Sequence, residues 1–252
     1  MRKARLVCAE CPALAKGLCS SLNADELARL GAVSRHRRFQ SGKAIHEEGE
    51  VPPAFGAVLS GVVKLMKSMP DGTQQIVGLA GAGDFLGRPF TGEARAAAVA
   101  ASEVEVCWFP RAAIEALATE SGAVKTWLYE YVAGELEKAQ EWIVLLGRMT
   151  AEQKVAAFLL SVLRNKRFEK DGDSELPAED DVTLDLPLSR TEMADYLGLT
   201  IETVSRHIAR LRERGILTVG SGRTVTVHDA GALLDMVGSA LTTPRAREAL
   251  RA

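Results

Sequence analysis

The segment "LSRTEMADYLGLTIETVSRHIARLRERGIL" (residues 188–217) has the pattern of two helices joined by a tight turn. Ser189 and Thr200 stand where helix N-caps are expected, and Gly198 provides the turn between the helices. Apolar residues recur at helical spacing on one face of each helix: Met193, Ala194, Leu197, Val204, Ile208 and Leu211. The following "VGSGRTVTVH" (219–228) predicts a short hairpin. The segment therefore predicts a winged helix-turn-helix.

The second helix carries side chains suited to the major groove of DNA. Arginine can donate two hydrogen bonds to guanine, a carboxylate can accept one from cytosine, and serine can do either. Four such residues lie away from the apolar face: Glu202, Ser205, Arg206 and Arg210. The arginines also give a local positive field for phosphates. A helical hairpin with a solvated charged face is the alternative, but caps, turn and wing all agree with DNA reading.

The chain before this segment has two different patterns. Between Leu22 and about Ala112, glycine and proline separate short apolar runs, which predicts an antiparallel β-barrel or jelly roll. From Arg111 to Arg167 the pattern is helical, with one apolar stripe: Leu128, Val132, Leu136, Ala139, Ile143 and Leu146. The stripe fits either a helix packed on its own barrel or a coiled-coil-like seam. Its length favours a homodimer seam.

The predicted fold class is therefore α+β, with four parts in chain order. Residues 1–21 form a cysteine-rich N-terminal segment, and residues 22–112 form the antiparallel β-barrel, a jelly roll of the cyclic-nucleotide-binding type. Residues 113–168 contain a long dimerisation helix and a following helix. Residues 169–252 form the C-terminal winged helix-turn-helix domain.

Composition restricts the classes of function. Among 252 residues, 31 Lys and Arg face 33 Asp and Glu, so DNA affinity must come from a local basic patch. No apolar run is long enough to span a membrane, and no apolar segment of a signal peptide follows "MRKAR" (1–5), so we expect a cytoplasmic protein. No nucleophile, base and orienting group stand together, which argues against an enzyme. The four histidines show no mutual spacing that indicates a metal site: His36, His46, His207 and His228.

Cysteine is scarce and unevenly placed. Three of the four cysteines lie in "VCAECPALAKGLC" (7–19), at Cys8, Cys11 and Cys19, and the fourth is Cys107. In a reducing compartment four thiols indicate metal binding or redox chemistry before disulfides. Four thiolates suit zinc or an iron–sulfur cluster. Zinc usually takes its ligands as two close pairs, so a triplet and a distant single cysteine favour a cluster slightly; ordinary thiols are the third interpretation.

Barrel, long helix and winged helix in this order resemble the CRP/FNR superfamily of bacterial transcription regulators, over essentially the whole chain. Residues 202–206, "ETVSR", match the E-x-x-S-R recognition motif of the FNR branch. The resemblance implies that a homodimer reads an inverted repeat of TTGAT-like half-sites in double-stranded DNA and acts on RNA polymerase. It also implies that Arg190 and Thr200 contact backbone phosphates.

The same resemblance implies a cofactor. FNR-type regulators hold an oxygen-labile [4Fe–4S] cluster with N-terminal cysteines and one barrel cysteine. "VEVCWFP" (104–110) resembles the segment with the barrel ligand, so the implied ligands are Cys8, Cys11, Cys19 and Cys107. The spacing from Cys11 to Cys19 is longer than in the family prototype. Glu141 stands where relatives carry an acidic residue that restrains dimerisation when the cluster is absent, so it is counted with the seam.

The resemblance also excludes a ligand. "GDFLG" (83–87) resembles the start of the phosphate cassette in cyclic-nucleotide-binding relatives. Arg88-Pro89 and Arg95-Ala96 replace the acidic and hydroxyl groups that such a ligand needs, and unmade buried hydrogen bonds are costly. We therefore expect no cyclic nucleotide and an oxygen-responsive regulator. The alternatives are a regulator of the same fold triggered by haem and nitric oxide or by thiol oxidation, or one with a structural zinc.

Overall fold

The computed structural model describes Cys8, Cys11 and residues 17–87, 92–171 and 181–238. The chain forms two compact units, residues 1–135 and 136–252, each of which is described by itself. A 3₁₀ turn at Leu18–Ser21 leads into helix α1 (Ala24–Val33). Asn23 caps α1: its side chain accepts a hydrogen bond from Glu26 N, and the Glu26 carboxylate accepts one from Asn23 N, both at 2.9 Å.

The barrel consists of two four-stranded antiparallel sheets, which confirms the predicted architecture. The first sheet has the order β1-β8-β3-β6 and the second β2-β7-β4-β5. The strands are β1 (Arg35–Phe39), β2 (Ala44–His46), β3 (Ala54–Ser60), β4 (Val63–Ser68), β5 (Gln74–Ala80), β6 (Phe85–Leu86), β7 (Ala97–Ala100) and β8 (Val104–Pro110).

Strand β8 is buried on both faces. Val104 and Val106 belong to an apolar core that includes residues of both sheets. Cys107 and Phe109 belong to a second core, which contains residues of α1 and of the helix after β8 but none from the second sheet. Side chains alternate along a strand, so Cys107 lies on the outer face of the first sheet, beneath helices.

The predicted helical region is divided into three helices. Helix α2 (Arg111–Glu120), which the sequence analysis did not separate, is followed by α3 (Gly122–Arg148) and α4 (Ala151–Asp171). At the second break, Thr150 Oγ1 accepts a hydrogen bond from Gln153 N at 3.3 Å, while Thr150 N donates to Gln153 Oε1 at 2.9 Å. This reciprocal cap is why α4 starts anew instead of continuing α3. None of the helices in the described ranges is long and apolar enough to cross a membrane.

The second unit contains the predicted winged helix-turn-helix. Helices α5 (Arg190–Leu197) and α6 (Ile201–Glu213) are followed by the hairpin of β10 (Leu217–Val219) and β11 (Thr224–Val227), and then by α7 (Ala230–Val237). The hairpin is joined by β9 (Val182–Asp185), giving an antiparallel sheet of order β10-β11-β9. The hairpin was predicted from sequence, whereas β9 was not.

Two glycines provide a test of the barrel backbone. Gly61 joins β3 to β4 at φ +82°, and Gly72 lies in the β4–β5 turn at φ +85°. A Cβ on Gly61 would lie 2.1 Å from Glu103 O, whereas a Cβ on Gly72 would meet no atom within 4 Å. Alanine at 72 should lower the free energy of unfolding by about 1 kcal/mol through φ alone, and alanine at 61 by about 3 kcal/mol or more.

Urea unfolding of Gly61→Ala and Gly72→Ala measures both costs, and Gly72→Ala is the matched control because it shares the backbone conformation. Equal losses in the two variants would show that the Glu103 carbonyl does not constrain the β3–β4 connection.

Candidate DNA interface and cysteine pocket

Local hydrogen bonds set the angle between α5 and α6. Ser189 Oγ accepts from Glu192 N at 3.3 Å and Glu192 Oε2 accepts from Ser189 N at 2.7 Å, so α5 begins with a capping box. It ends at Gly198, whose φ of +60° is the left-handed conformation that glycine adopts readily. Thr200 Oγ1 then accepts from Thr203 N at 3.3 Å and starts α6. The predicted caps and turn are therefore confirmed.

Helix α6 presents the predicted reading residues on one exposed surface. Val204, Ile208 and Leu211 are buried, as is His207, which the sequence analysis did not assign to the core. The four predicted residues are all exposed: Glu202, Ser205, Arg206 and Arg210. A helical period of 3.6 residues places them together on the side opposite Leu211.

The charges of these residues are available to a partner. Hydrogen bonds from its own backbone N–H and from Thr200 lower the pKa of Glu202, so its carboxylate is an ionised acceptor. Arg206 donates to Thr203 Oγ1 at 3.4 Å. Within the described residues neither Arg206 nor Arg210 forms an ion pair, so both guanidinium groups remain free for DNA.

Arg190 is a cation at the first turn of α5. Partial burial lowers its pKa, but an arginine stays protonated in proteins. Its guanidinium lies 3.5 Å from Met193 Sδ and has no carboxylate partner in the part of the chain that is described. The predicted phosphate contact therefore has an unpaired cation, and Thr200 supplies an exposed hydroxyl at the start of α6.

All four cysteines line one pocket in the first unit. Cys107 contributes from β8, Cys19 from the 3₁₀ turn, and Cys8 and Cys11 from the chain before it. Apolar side chains of α1, β3 and β8 form most of the remaining wall: Leu27, Leu30, Ala57, Leu59 and Phe109. The fold thus brings together residues separated by most of the barrel sequence.

Burial keeps two of these cysteines in the thiol form. It raises the pKa of Cys19 to about 12, and the nearby Cys11 and Cys8 add to the increase. Burial also raises the pKa of Cys107 to about 12, although a hydrogen bond from Ser34 opposes the increase. Metal ligands must be thiolates, so loading of this pocket would release protons.

Gly31 makes room for one of the thiols. A Cβ at this position of α1 would lie 2.8 Å from Cys8 Sγ, closer than real contacts allow. The sulfur of Cys8 therefore approaches the α1 backbone at a point where no side chain stands. Glycine inside a helix lowers the stability of the helix, and this close approach gives a physical reason for its presence here.

The four thiols do not converge on one point. Among the described residues, no group of three or more His, Cys, Asp or Glu side chains is close enough to hold a metal ion. Zinc–sulfur bonds of about 2.3 Å would bring tetrahedral thiolates to within about 4 Å of one another. The described thiols do not have that arrangement in this structure.

His36 also lines this pocket, and the sequence analysis missed it. The spacing of histidines along the chain gave no indication of this position, because the proximity of His36 to Cys107 arises from strand pairing. In the antiparallel pair of β1 and β8, His36 lies directly opposite Cys107. No spacing in the sequence displays this register, so the residues of β1 alone gave no signal that could have found His36.

The apolar stripe of α3 is exposed in its central part. Val132, Leu136 and Ile143 are 61%, 59% and 68% exposed, and Ala139 is also exposed. These side chains are therefore not buried within the unit to which each belongs. At the ends of the stripe Leu128 and Leu146 are half-buried, and Leu128 packs against the barrel core. Tyr129, 79% exposed, adjoins the stripe and was not predicted.

Glu141 requires a correction. It was counted with the seam, but it is five residues from Leu136 and two from Ile143, which places it on the far side of α3 from the stripe. Burial raises its pKa, and Arg164 of α4 lowers it, so the nearest opposite charge belongs to its own chain. This position does not support a contact between Glu141 and its symmetry mate.

Comparisons with known proteins agree with this geometry. The family described as a cyclic nucleotide-binding domain matches residues 36–121, and the Crp-like helix-turn-helix domain matches residues 153–236. A probable transcriptional activator of Rhizobium leguminosarum bv. viciae is 38% identical over 234 residues, covering 93% of this chain and 94% of the relative. The transcriptional activator protein FnrL of Cereibacter sphaeroides is 36% identical, covering 92% of both chains.

A solved structure gives the same assignment. FixK2 from Bradyrhizobium japonicum superposes with a TM-score of 0.70 at 31% identity, covering 81% of this chain and 97% of that chain. A barrel followed by a winged helix-turn-helix with a free basic reading face defines a DNA-binding transcription regulator, not an enzyme. The chain belongs to the CRP/FNR family of these regulators.

Base reading and phosphate contact are separable by mutation. Replacing Arg206 with alanine should cost about 1–3 kcal/mol on a specific site and relax the preference for guanine at the contacted position. Replacing Arg190 with alanine should weaken binding to specific and random DNA by a similar factor and reduce the salt dependence.

Fluorescence anisotropy with a specific and a scrambled duplex, at two salt concentrations, measures both effects. The division of roles is wrong if each variant loses the same affinity on both duplexes.

Proposed function

We propose that the chain is a transcriptional activator that binds DNA as a homodimer when a [4Fe–4S] cluster is held by Cys8, Cys11, Cys19 and Cys107, and releases DNA when oxygen destroys the cluster. The observation that carries the proposal is the single pocket lined by all four cysteines of the chain. Relatives named as transcriptional activators, FnrL among them, support the activator role.

The donor set fits the cluster. Iron–sulfur clusters are held by four thiolates, and this pocket offers four in mostly apolar surroundings. The cluster supplies an oxygen-labile group, while the protein supplies the thiolates, the space beside Gly31 and the apolar wall.

The same core connects the pocket to α3. Phe109, two residues after Cys107, stacks on Phe85 with ring centroids 6.3 Å apart. Phe85 contacts Trp127 of α3 at 5.5 Å, and its carbonyl accepts a hydrogen bond from Tyr131 Oη at 3.3 Å. Cys11 and Cys19 pack against this core as well. A change at the cysteines therefore reaches the first turns of α3 through direct contacts.

The apolar stripe of α3 and the reading face of α6 carry the remaining parts of the proposal. The exposed stripe of Val132, Leu136, Ala139 and Ile143 pairs two chains, and each chain presents one α6 to half of an inverted repeat resembling TTGAT. The dimer then acts on RNA polymerase in the cytoplasm. The proposal includes no cyclic nucleotide: Arg95 is exposed, while Arg88 and Pro89 lie outside the described residues.

The spectrum of anaerobically purified protein tests the cofactor. Wild-type protein should show a broad absorbance band at about 400 nm that bleaches in air, and it should contain iron and sulfide in equal amounts. Cys107→Ser should lower the iron content, since serine is a poor substitute for a thiolate. Gly31→Ala should also lower it, because the new Cβ displaces Cys8 while all four thiols remain.

Gly134→Ala is the matched control for the helical glycine, since a Cβ there meets no atom within 4 Å. Its iron content should equal that of wild type. A sharp Soret band would indicate haem instead, and one zinc per chain without iron would indicate a structural zinc; either result contradicts the proposed cluster.

The dimer seam has its own test. Ile143→Glu places a charge at the exposed stripe, where symmetry would bring two carboxylates together, and should weaken dimerisation of the loaded protein at least about tenfold. Sedimentation under anaerobic conditions measures the change. Glu141→Ala is the control, since Glu141 lies away from the stripe, and its dimer should be unchanged. Equal dimerisation of Ile143→Glu and wild type would place the interface elsewhere.

A further inference from the structure

One residue of the cysteine pocket is assigned no role by the proposed ligand set. Among the described residues that line the pocket, His36 is the only one besides the cysteines with a polar side chain. It lies on β1, at the edge of the first sheet, directly opposite Cys107 of β8. Directly paired residues of antiparallel strands point to the same face with Cβ atoms about 5 Å apart, so the imidazole stands beside the Cys107 sulfur.

The ring is held in place by its own strand pair. Arg38 and Glu105 are opposite each other in the same register, two residues away and on the same face as His36 and Cys107. His36 Nδ1–H donates to Glu105 Oε1 at 3.3 Å, and Arg38 Nε donates to Glu105 Oε2 at 3.2 Å. Arg38 thus fixes the carboxylate, and the carboxylate fixes the rotation of the imidazole.

His36 is also at the boundary between the pocket and solvent. The wall residues of β3 and β8 are buried: Ala57, Leu59 and Phe109. The His36 side chain is 30% exposed, so one side of the ring meets water while the other lines the pocket. On the open edge of this sheet no further strand covers β1 in the described part of the chain. The imidazole therefore occupies the path from that edge to Cys107.

We propose that His36 is a shielding residue of the cysteine pocket: its imidazole, locked by Glu105, limits the access of solvent molecules and oxidants to Cys107 and to the cluster that Cys107 holds. The shielding of the bound cluster rests on the proposed function. The shielding of the thiol does not, since it follows from the geometry of β1 and β8 alone. His36 acts by occupying space and is not a ligand.

Two readouts test this role. The first is alkylation of Cys107 in cluster-free wild-type protein, followed by mass spectrometry of the peptide, with iodoacetamide as a small reagent and a bulky maleimide as a large one. The second is the decay of the cluster absorbance in air. Both use four variants of the full chain: His36→Ala, His36→Phe, Glu105→Gln and Arg35→Ala.

His36→Ala should speed labelling of Cys107 by about threefold or more, with a larger gain for the maleimide than for iodoacetamide, because access governs thiol reactivity. It should also shorten the lifetime of the cluster in air by a similar factor, with unchanged anaerobic iron content and melting temperature. His36→Phe keeps a ring and should remain near wild type, and Glu105→Gln should fall between. Arg35→Ala is the control, since Arg35 lies on the same strand but its side chain is on the other face of the sheet.

Unchanged labelling of Cys107 in His36→Ala would overturn the inference. An equal gain with both reagents would do the same, because it would indicate a changed thiol and not a wider opening. If labelling accelerates as expected but no variant or wild type binds iron, the shield stands and the proposed function fails.

Discussion

The cysteine pocket depends on the pairing of β8 with its two neighbours. β8 is bonded to β1 on one side and to β3 on the other, so its register is set twice. One face buries Val104 and Val106 between the sheets, and the other carries Cys107 and Phe109. A shift of one residue would exchange these faces and place the thiol inside the barrel. The position of one ligand is thus determined by the apolar core of the whole barrel.

This arrangement separates one cysteine that is fixed in a sheet from three that precede α1. Cys107 cannot move without disturbing two strands, whereas Cys8, Cys11 and Cys19 reach the pocket from the chain before the first helix. A group bound by all four would therefore hold that chain against β8 and α1, and its loss would remove the attachment. Only a small change in free energy is needed to shift the equilibrium between the attached and the detached chain, because about 1.4 kcal/mol changes an equilibrium constant tenfold. Phe109, Phe85 and Trp127 then carry the change to α3 by packing, without a long-range field.

Local signals were enough to predict the second unit. Caps at Ser189 and Thr200, a turn glycine and an apolar face are all encoded within a few residues of one another, so α5 and α6 could be read from the sequence directly. Strand β9 could not, because it is defined by its pairing with β11 rather than by its own short pattern. The same limit explains why the sequence predicted only part of the cysteine pocket. The four cysteines were found by counting, but His36 belongs to the site only through the β1–β8 register, which no sequence spacing displays.

Glu141 illustrates the opposite error. Its identity as an acidic residue near the stripe suggested a seam position, but helical geometry assigns each residue an angle, and a difference of one position moves a side chain by about 100°. Arg164 of α4 lowers the pKa of Glu141, which agrees with a position on the side of α3 away from the stripe. A resemblance between sequences transfers a role only when the helical phase agrees as well.

The family matches divide the cysteine pocket between two parts of the chain. The barrel match covers residues 36–121, which include His36 and Cys107, while Cys8, Cys11 and Cys19 lie before it. FnrL and FixK2, which differ in name, match 92% and 81% of this chain. A fold hosts several functions, and the specific one follows from the chemistry of a site built on it. Here the pocket combines one strand register of the barrel with one N-terminal segment, so three of its four cysteines come from residues that the barrel match does not contain.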